Sequence, residues 1–592
     1  MSQLPTPSQL FAQARQSLQN GHTEAAIRLA SAARTAFAAA GAHDHAVRSA
    51  ILQSRCEAAA GLLEPAADTL HQAMAHAERF ATPAEALAAR SELGVLQEQM
   101  GQLLEALATH RAVLEAQEGR KDRLGTALAA ANVARLLPRA ALPEHRKQAR
   151  KDAQDLLLQS GRMFIECGKS GLAAQALVVV GDQLRAEGEF TKARAVLRDA
   201  QRSAELAGDL RVQASATLNL VYVLRDLGDR EGANLACQQA KHLAEVGHDK
   251  LAALQASQAR LLLTSGELPA PKTVEFIQDT LLRFEEAGYA AASLPLRANL
   301  GLAMARTGQL RQAIRILQGV RADLGRAGER LALSEVDLAL AELYWTCGDE
   351  ASAVAMLARL PAEQVSPKLS NTLALLQARR ALAHLDLGSA RAALDHAKGA
   401  EISHADKIAT SLFHGQMNTL IGHRIIQDYA RVMAYDEDLS PREGAARRLL
   451  MAIDEAWHGE RQDAERSGHE ALAQWVALGE PLPQATCRVV LTCLGQAPDA
   501  DLRALLELLD REQLTEAHTA LNGALCAQAH DLPGVLSAID SLRTSGWTAT
   551  ALTLTRLSRL AMDMPQLLDL EASIWASAGV VASDLFSDTD PT

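Results

Sequence analysis

The residues best suited to chemistry in this chain sit at the wrong spacings for it. Gly168-Lys169-Ser170 ends like a phosphate-binding loop, in which backbone N–H groups and a lysine cradle phosphoryl oxygens. That loop needs a glycine five residues earlier, where the chain has Met163, and the preceding segment reads as helix. His469-Glu470 opens like a zinc-protease helix, but Gln474 and Trp475 follow and no second histidine does. His43-Asp44-His45 has metal-ligand types but reads as a solvated turn. Cys487 and Cys493 are six apart, so they share a helix face poorly and are expected to be buried. There is no Gly-x-Ser-x-Gly elbow, and no carboxylate has a distinctive neighbour for acid–base work. These residues give no catalytic or metal site and require no cofactor. The chain is not expected to be an enzyme.

Whatever the protein does must therefore be done by a surface, and the composition builds that surface on helices. Of 592 residues, 48% are hydrophobic, but only 5 Trp, 5 Tyr and 9 Phe are present, and Ala and Leu dominate every segment. Ala and Leu lose little freedom in a helix, whereas aromatic and β-branched residues favour strands. The net charge of −12, from 59 basic and 71 acidic residues, argues against nucleic acid as the main ligand. The most basic stretch, Arg146-Lys147-Gln148-Ala149-Arg150-Lys151, reads as a solvated helix face. Seven cysteines without CxxC spacing suggest reduced, buried thiols in a cytosolic protein. Met1 to Gln13 lacks a basic leader, and uncharged apolar runs such as Gly171 to Gly181 fall short of the ~20 residues that span a bilayer. A cytoplasmic protein with no membrane contact is expected.

The elements themselves are marked by glycines. Gly21, Gly61, Gly101, Gly188, Gly228, Gly308, Gly348 and Gly388 recur with a period of forty. Two intervals are longer: Gly101 to Gly188 is two periods plus seven, and Gly228 to Gly308 is two periods with Gly266 near the midpoint. Each begins Gly-x4-Ala, as does Gly459/Ala464. Seven residues before stands a small residue: Ala14, Ser54, Gly94, Gly181, Gly301, Ala341, Ala381 and Ala452, with Val221 the exception. Glycine ends a first helix in left-handed geometry, and the small residues let a second helix pack closely on it.

This pattern resembles the tetratricopeptide repeat. Ala33, Ala73, Ala200, Ala240, Ala400 and Ala471, each twelve past its glycine, match that family's second alanine, and Leu218 to Asp229 looks especially like one of its first helices and turn. The period of forty is longer than the family's standard unit, and Glu205 and Glu245 stand where a proline usually closes the second helix. The longer unit is similar to the kinesin light chain type and to the sensor arrays of some bacterial regulators. The resemblance covers about residues 8 to 400 and thins out towards 480. It implies an all-α, right-handed superhelix, an α-solenoid of helix–turn–helix repeats.

Along the chain, residues 1–137 hold the N-terminal repeats. A break from Leu137-Pro138 to Pro143-Glu144 follows, with either a longer loop or an extended second helix from Glu144 to Cys167. Repeats resume over 138–401. Residues 402–480 read as irregular helices with one repeat-like pair, bounded at Asp436 to Pro441, and His404 to Tyr435 still reads as helix. Residues 481–583 read as degenerate continuation or capping helices, and 584–592 as an acidic tail.

In such an array the first helices line a concave groove, so side chains thirteen, ten, six and three residues before each glycine are expected to face it. They are Gln175, Val178, Asp182 and Arg185; Ser215, Leu218, Tyr222 and Arg225; and Glu335, Leu338, Glu342 and Trp345. Exposed aromatic and Arg side chains are common anchors. Asn219 and Asn299 lie nine residues before Gly228 and Gly308, and Asn132 nine before the turn expected at 141. Asparagines at this position resemble those with which tetratricopeptide proteins hold an extended peptide, and a carboxamide offers both donor and acceptor to a peptide unit. The expected role is a scaffold or adaptor that binds a protein or peptide through Asn132, Asp182, Arg185, Asn219, Tyr222, Arg225, Asn299, Glu342 and Trp345. The alternative is a sensor subunit responding to a peptide or small effector. Assembly into homo-oligomers is left open.

Overall fold

The backbone repeats at half the glycine period. The computed structural model describes residues 5–80, 82–264, 266–289, 291–327, 330–360, 367–397, 403–421 and 439–578, and every regular element among them is helical. Left-handed residues occur at Gly21, Gly41, Gly61, Gly101 and Lys121, and again at Gly168, Gly188, Gly208, Gly228 and His248. Most of the intervening helices are about as long as Thr23–Ala39 or Arg123–Ala140, so helix plus turn makes twenty and the hairpin makes forty. The turn is closed by its own backbone: Gly21 N–H donates to Leu18 C=O at 3.0 Å and His22 N–H to Ser17 C=O at 2.9 Å. Glycine marks the first turn of most hairpins, at Gly21, Gly61, Gly101, Gly188, Gly228, Gly308 and Gly348, whereas Lys121 and His248 serve at the second. One assignment needs correction. Gly388 is not a turn residue: Leu385 takes the left-handed conformation, Asp386 accepts from Ser389 N–H at 2.9 Å, and Gly388 lies inside helix Leu387–Ala397.

Contacts divide the chain into two units, Met1–Gln183 with Asp199–Val212 and Leu184–Arg198 with Gln213–Thr592. In the first, helix Pro7–Gln19 pairs with Thr23–Ala39, His43–Ala59 with Leu63–Arg79, Pro83–Gln99 with Leu103–Gly119, and Arg123–Ala140 with Arg146–Glu166. The small residue seven before the glycine performs the close packing: Ser54 Oγ donates to the Ala66 carbonyl at 3.0 Å, so the two backbones nearly touch. A methyl group on Gly94 would lie 2.7 Å from the His110 ring. The break near 138 is gentler than its prolines suggest. Pro138 sits in the last turn of Arg123–Ala140, and the extra residues form both a 3-10 turn, Pro143–His145, and a longer second helix, Arg146–Glu166.

The second unit has two columns of helices. Hairpins continue through Arg230–Val246, Lys250–Thr264, Ala270–Glu286, Leu294–Arg306, Leu310–Ala327, Arg330–Thr346, Glu350–Leu357, Pro367–Ala383 and Leu387–Ala397. Helices His404–Ile421, Pro441–Trp457, Arg461–Leu478 and Pro481–Cys493 begin a second column. Its helices shorten after Gly479, to three or four turns each, and the last ends at Ser577. This column does more than hide the end of the first: it lies along the turns. Methyl groups on Gly228, Gly266 and Gly308 would lie 2.7 Å from His404, 3.3 Å from Ser440 and 2.8 Å from Pro481. One hydrophobic core joins Met304, Leu317 and Leu375 to Phe413, Val490, Leu557 and Trp575. Glu480, almost fully buried, accepts from Arg306 Nε at 2.7 Å and Arg442 Nε at 3.1 Å. Arg556 lies 4.9 Å from the Trp457 ring and 5.5 Å from that of Trp575, and donates to Leu420 C=O at 2.8 Å. Part of the irregular segment, 402 and 422–438, and the tail 584–592 lie outside the described residues, as does Ala400. Ser440 opens its helix with a capping box to Glu443.

Candidate partner-binding surface

Several first helices follow shortly after a left-handed residue, among them those after Gly41, Lys121, Gly168, Gly208, His248 and Gly288, and that residue fixes which side chains share a face. Asn132, Asn219 and Asn299 each lie eleven residues beyond one: Lys121, Gly208 and Gly288. The three positions are therefore equivalent, as the spacing implied. All three are half-buried, and no hydrogen bond from their carboxamides occurs within the described residues. At the same register, Glu92 stands in helix Pro83–Gln99, and there the Arg55 Nε and Nη2 hydrogens are bound at 2.9 and 2.7 Å.

The other candidates are occupied to different degrees. Arg185, Tyr222 and Arg225 do come together, but around a residue the spacing did not single out. Asp226 is nearly buried and accepts from Arg185 Nη1 at 3.3 Å and from Arg225 Nη2 at 2.7 Å. Both guanidiniums lie over the Tyr222 ring, 5.6 and 5.8 Å from its centroid. Burial raises the Tyr222 hydroxyl above its ordinary pKa, and the two arginines oppose that rise. Glu342 is exposed but accepts from Arg379 at 2.8 Å. Asp182 is exposed.

Three expected groove positions need correction. Leu218 and Leu338, ten residues before their glycines, are buried, because that position turns towards the second helices. Trp345 is half-buried against Trp547, 5.4 Å between ring centroids, so the second column covers it.

Sequence reasoning also missed a set of ion pairs between successive first helices. Arg48–Glu85, Arg55–Glu92, Glu98–Arg135 and Glu342–Arg379 are each separated by one period less three. Glu98–Arg139 and Arg185–Asp226 are each separated by one period plus one. A search for charge pairs across the repeat would have found both spacings.

With the geometry in hand, comparison with known proteins gives fold-level likeness alone. No family model matches, and no curated protein matches. Among solved structures, the apo form of RapI is similar at 10% identity over 60% of this chain and 98% of its own, with a TM-score of 0.45. A monomeric mutant of IFIT1 with m7Gppp-AAAA is similar at 14% identity over 72% and 90%, with a TM-score of 0.38. Naa15/Naa10 bound to HypK-THB is similar at 11% identity over 97% and 100%, with a TM-score of 0.21.

The remaining motifs resolve into structure. Gly168 is an inter-helix turn. His43 begins a helix rather than lying in a free loop; it stacks on Phe80 at 3.6 Å and its Nδ1 lies 3.2 Å from His76 Nε2. Cys487 and Cys493 are fully buried, and desolvation pushes both thiols up to about 12. Among the described residues no three metal-ligand side chains converge, and no helix is long and apolar enough to cross a membrane.

Proposed function

We propose that this protein is a binding scaffold that holds an extended polypeptide against the first helices of its repeats. The observation that carries this reading is the equivalence of Asn132, Asn219 and Asn299, each half-buried with its carboxamide uncommitted. A carboxamide in that state satisfies a peptide N–H and C=O at once. The charged candidates contribute less directly: Arg185, Arg225 and Glu342 already hold internal partners, so they order the face before a ligand arrives. On this reading the protein acts by binding and performs no catalysis. Its long hairpin is taken as the tetratricopeptide variant of the kinesin light chain kind.

The test compares capture by the wild-type protein and by Asn219→Ala/Asn299→Ala, each immobilised and challenged with the same lysate, with quantitative mass spectrometry of what remains bound. The expected result is depletion of specific polypeptides from the variant, with unchanged thermal unfolding. Equal capture by both proteins would remove the asparagine face from consideration.

A further inference from the structure

The first unit exposes arginines and hides their carboxylates. Helix Pro83–Gln99 carries Glu85 and Glu92 on one edge and Glu98 on the other. Arg48 and Arg55 reach Glu85 and Glu92 from helix His43–Ala59, and Arg135 and Arg139 reach Glu98 from helix Arg123–Ala140. The four guanidinium side chains are 46% to 57% exposed, whereas the three carboxylates are 12% to 20% exposed. Each guanidinium has five N–H donors and gives one or two to its glutamate, so several remain at the surface. Four arginines against three glutamates also leave this face net positive, in a chain whose net charge is −12.

Between helices His43–Ala59 and Pro83–Gln99 lies a cleft lined by Ser54, Ala58, Ala59, Val95, Leu96 and Gln99, with the Arg55–Glu92 pair at its rim. It is lined by apolar Ala58, Ala59, Val95 and Leu96 and by polar groups of Ser54, Gln99 and the ion pair. It has room for an aliphatic side chain, and no aromatic residue lines it on which a base would stack. Asn132 stands on the same face of its helix as Arg135 and Arg139, three and seven residues before them.

We propose that this face binds an acidic polypeptide segment, with an aliphatic side chain in the cleft and flanking carboxylates on Arg48, Arg55, Arg135 and Arg139. The occupant is a peptide rather than a nucleic acid. The cleft offers an aliphatic side chain a place between alanine, valine and leucine, and it offers a base no aromatic ring on which to stack. The inference rests on the first-helix binding reading above and adds the chemistry of the partner.

The test uses fluorescence anisotropy of the full chain with a labelled nonapeptide of Glu-Glu-Leu repeated three times. Its Gln-Gln-Leu counterpart and a single-stranded RNA of the same length serve as comparison probes. The acidic peptide is expected to bind at least tenfold more tightly than the neutral one, with affinity falling as salt rises from about 50 to about 500 mM. Arg135→Gln/Arg139→Gln is expected to weaken it about tenfold. Ala59→Trp, which fills the cleft and leaves all four arginines in place, is expected to do the same even if the arginine variant folds poorly. Equal binding of acidic and neutral peptides overturns the charge preference while sparing the scaffold reading. No binding of either peptide to this face, or tighter binding of the RNA, overturns the proposal outright.

Discussion

Replacing His110 with leucine should make this protein more stable. His110 lies nine residues past Gly101, a position filled by fully buried Leu70, Leu197 and Leu317 after Gly61, Gly188 and Gly308. Its ring is fully buried, and neither nitrogen has a hydrogen-bond partner within the described residues. An unsatisfied buried polar group costs about 1–3 kcal/mol. The site already has the shape for leucine. Gly94 faces His110 as Gly301 faces Leu317, with a hypothetical methyl 2.7 and 2.9 Å from the neighbouring side chain. Allowing about 1 kcal/mol for imperfect repacking, His110→Leu should gain up to about 2 kcal/mol. Burial, with a smaller contribution from Arg135, also lowers the His110 pKa below its ordinary value. The unfolded chain therefore takes up a proton more readily, and wild-type stability should fall as pH drops below about 6.5, levelling off below the depressed folded value. The leucine variant should lose this part of the acid dependence. The assay is hydrogen exchange with mass spectrometry on peptides from Pro83–Gln99 and Leu103–Gly119 at pH 7.5 and 5.5. It reads local opening even where global unfolding is not two-state. Faster exchange in the variant at pH 7.5, or an acid response equal to wild type, would refute the reasoning.

Gly94→Ala should cost about 1–3 kcal/mol by pressing a methyl on the His110 ring, and adding His110→Ala should recover part of the loss, since Ala14 and Ala30 coexist at the same two positions; denaturation midpoints check both. Glu480→Gln should destabilise the second unit by about 3 kcal/mol, because the largely covered Arg306 loses the charge of buried Glu480, while half-exposed Arg442 turns to solvent. A midpoint shift in guanidinium below a tenth of the wild-type value would contradict this. Arg556→Met should cost about 2 kcal/mol, by leaving Glu571 to Arg559 alone and removing the contact with two tryptophans; tryptophan emission during unfolding reports it. Iodoacetamide at pH 8 should leave Cys487 and Cys493 unmodified until denaturant is added, given thiols held near 12 and no exposure.

The hairpin was legible because glycine at the first turn and a small residue seven before it are both dictated by backbone approach. The second turn was not, because Lys121 and His248 accept left-handed geometry and leave no glycine to count. The equivalence of the three asparagine positions could be counted directly, since it depends only on helix periodicity. Occupancy did not. Nothing local to Trp345 announces Trp547, some two hundred residues away, and Arg185 is neutralised by Asp226 one repeat later. The side-by-side columns were hidden for the same reason. A helix that packs against a neighbouring column has the same apolar stripe as one that packs only within its own.

Those columns share a common ruler. Gly228 meets His404, Gly266 meets Ser440, and Gly308 meets Pro481, so the offset between partners stays nearly constant from one contact to the next. An open helical array tolerates gain or loss of a whole hairpin, since each hairpin sees only its neighbours. Here a hairpin deleted from one column would shift every later contact with the other by a full period. Length changes in residues 228–397 and 404–578 should therefore be inherited in matched pairs, and the number of hairpins in this unit is set by the two columns together rather than by either alone.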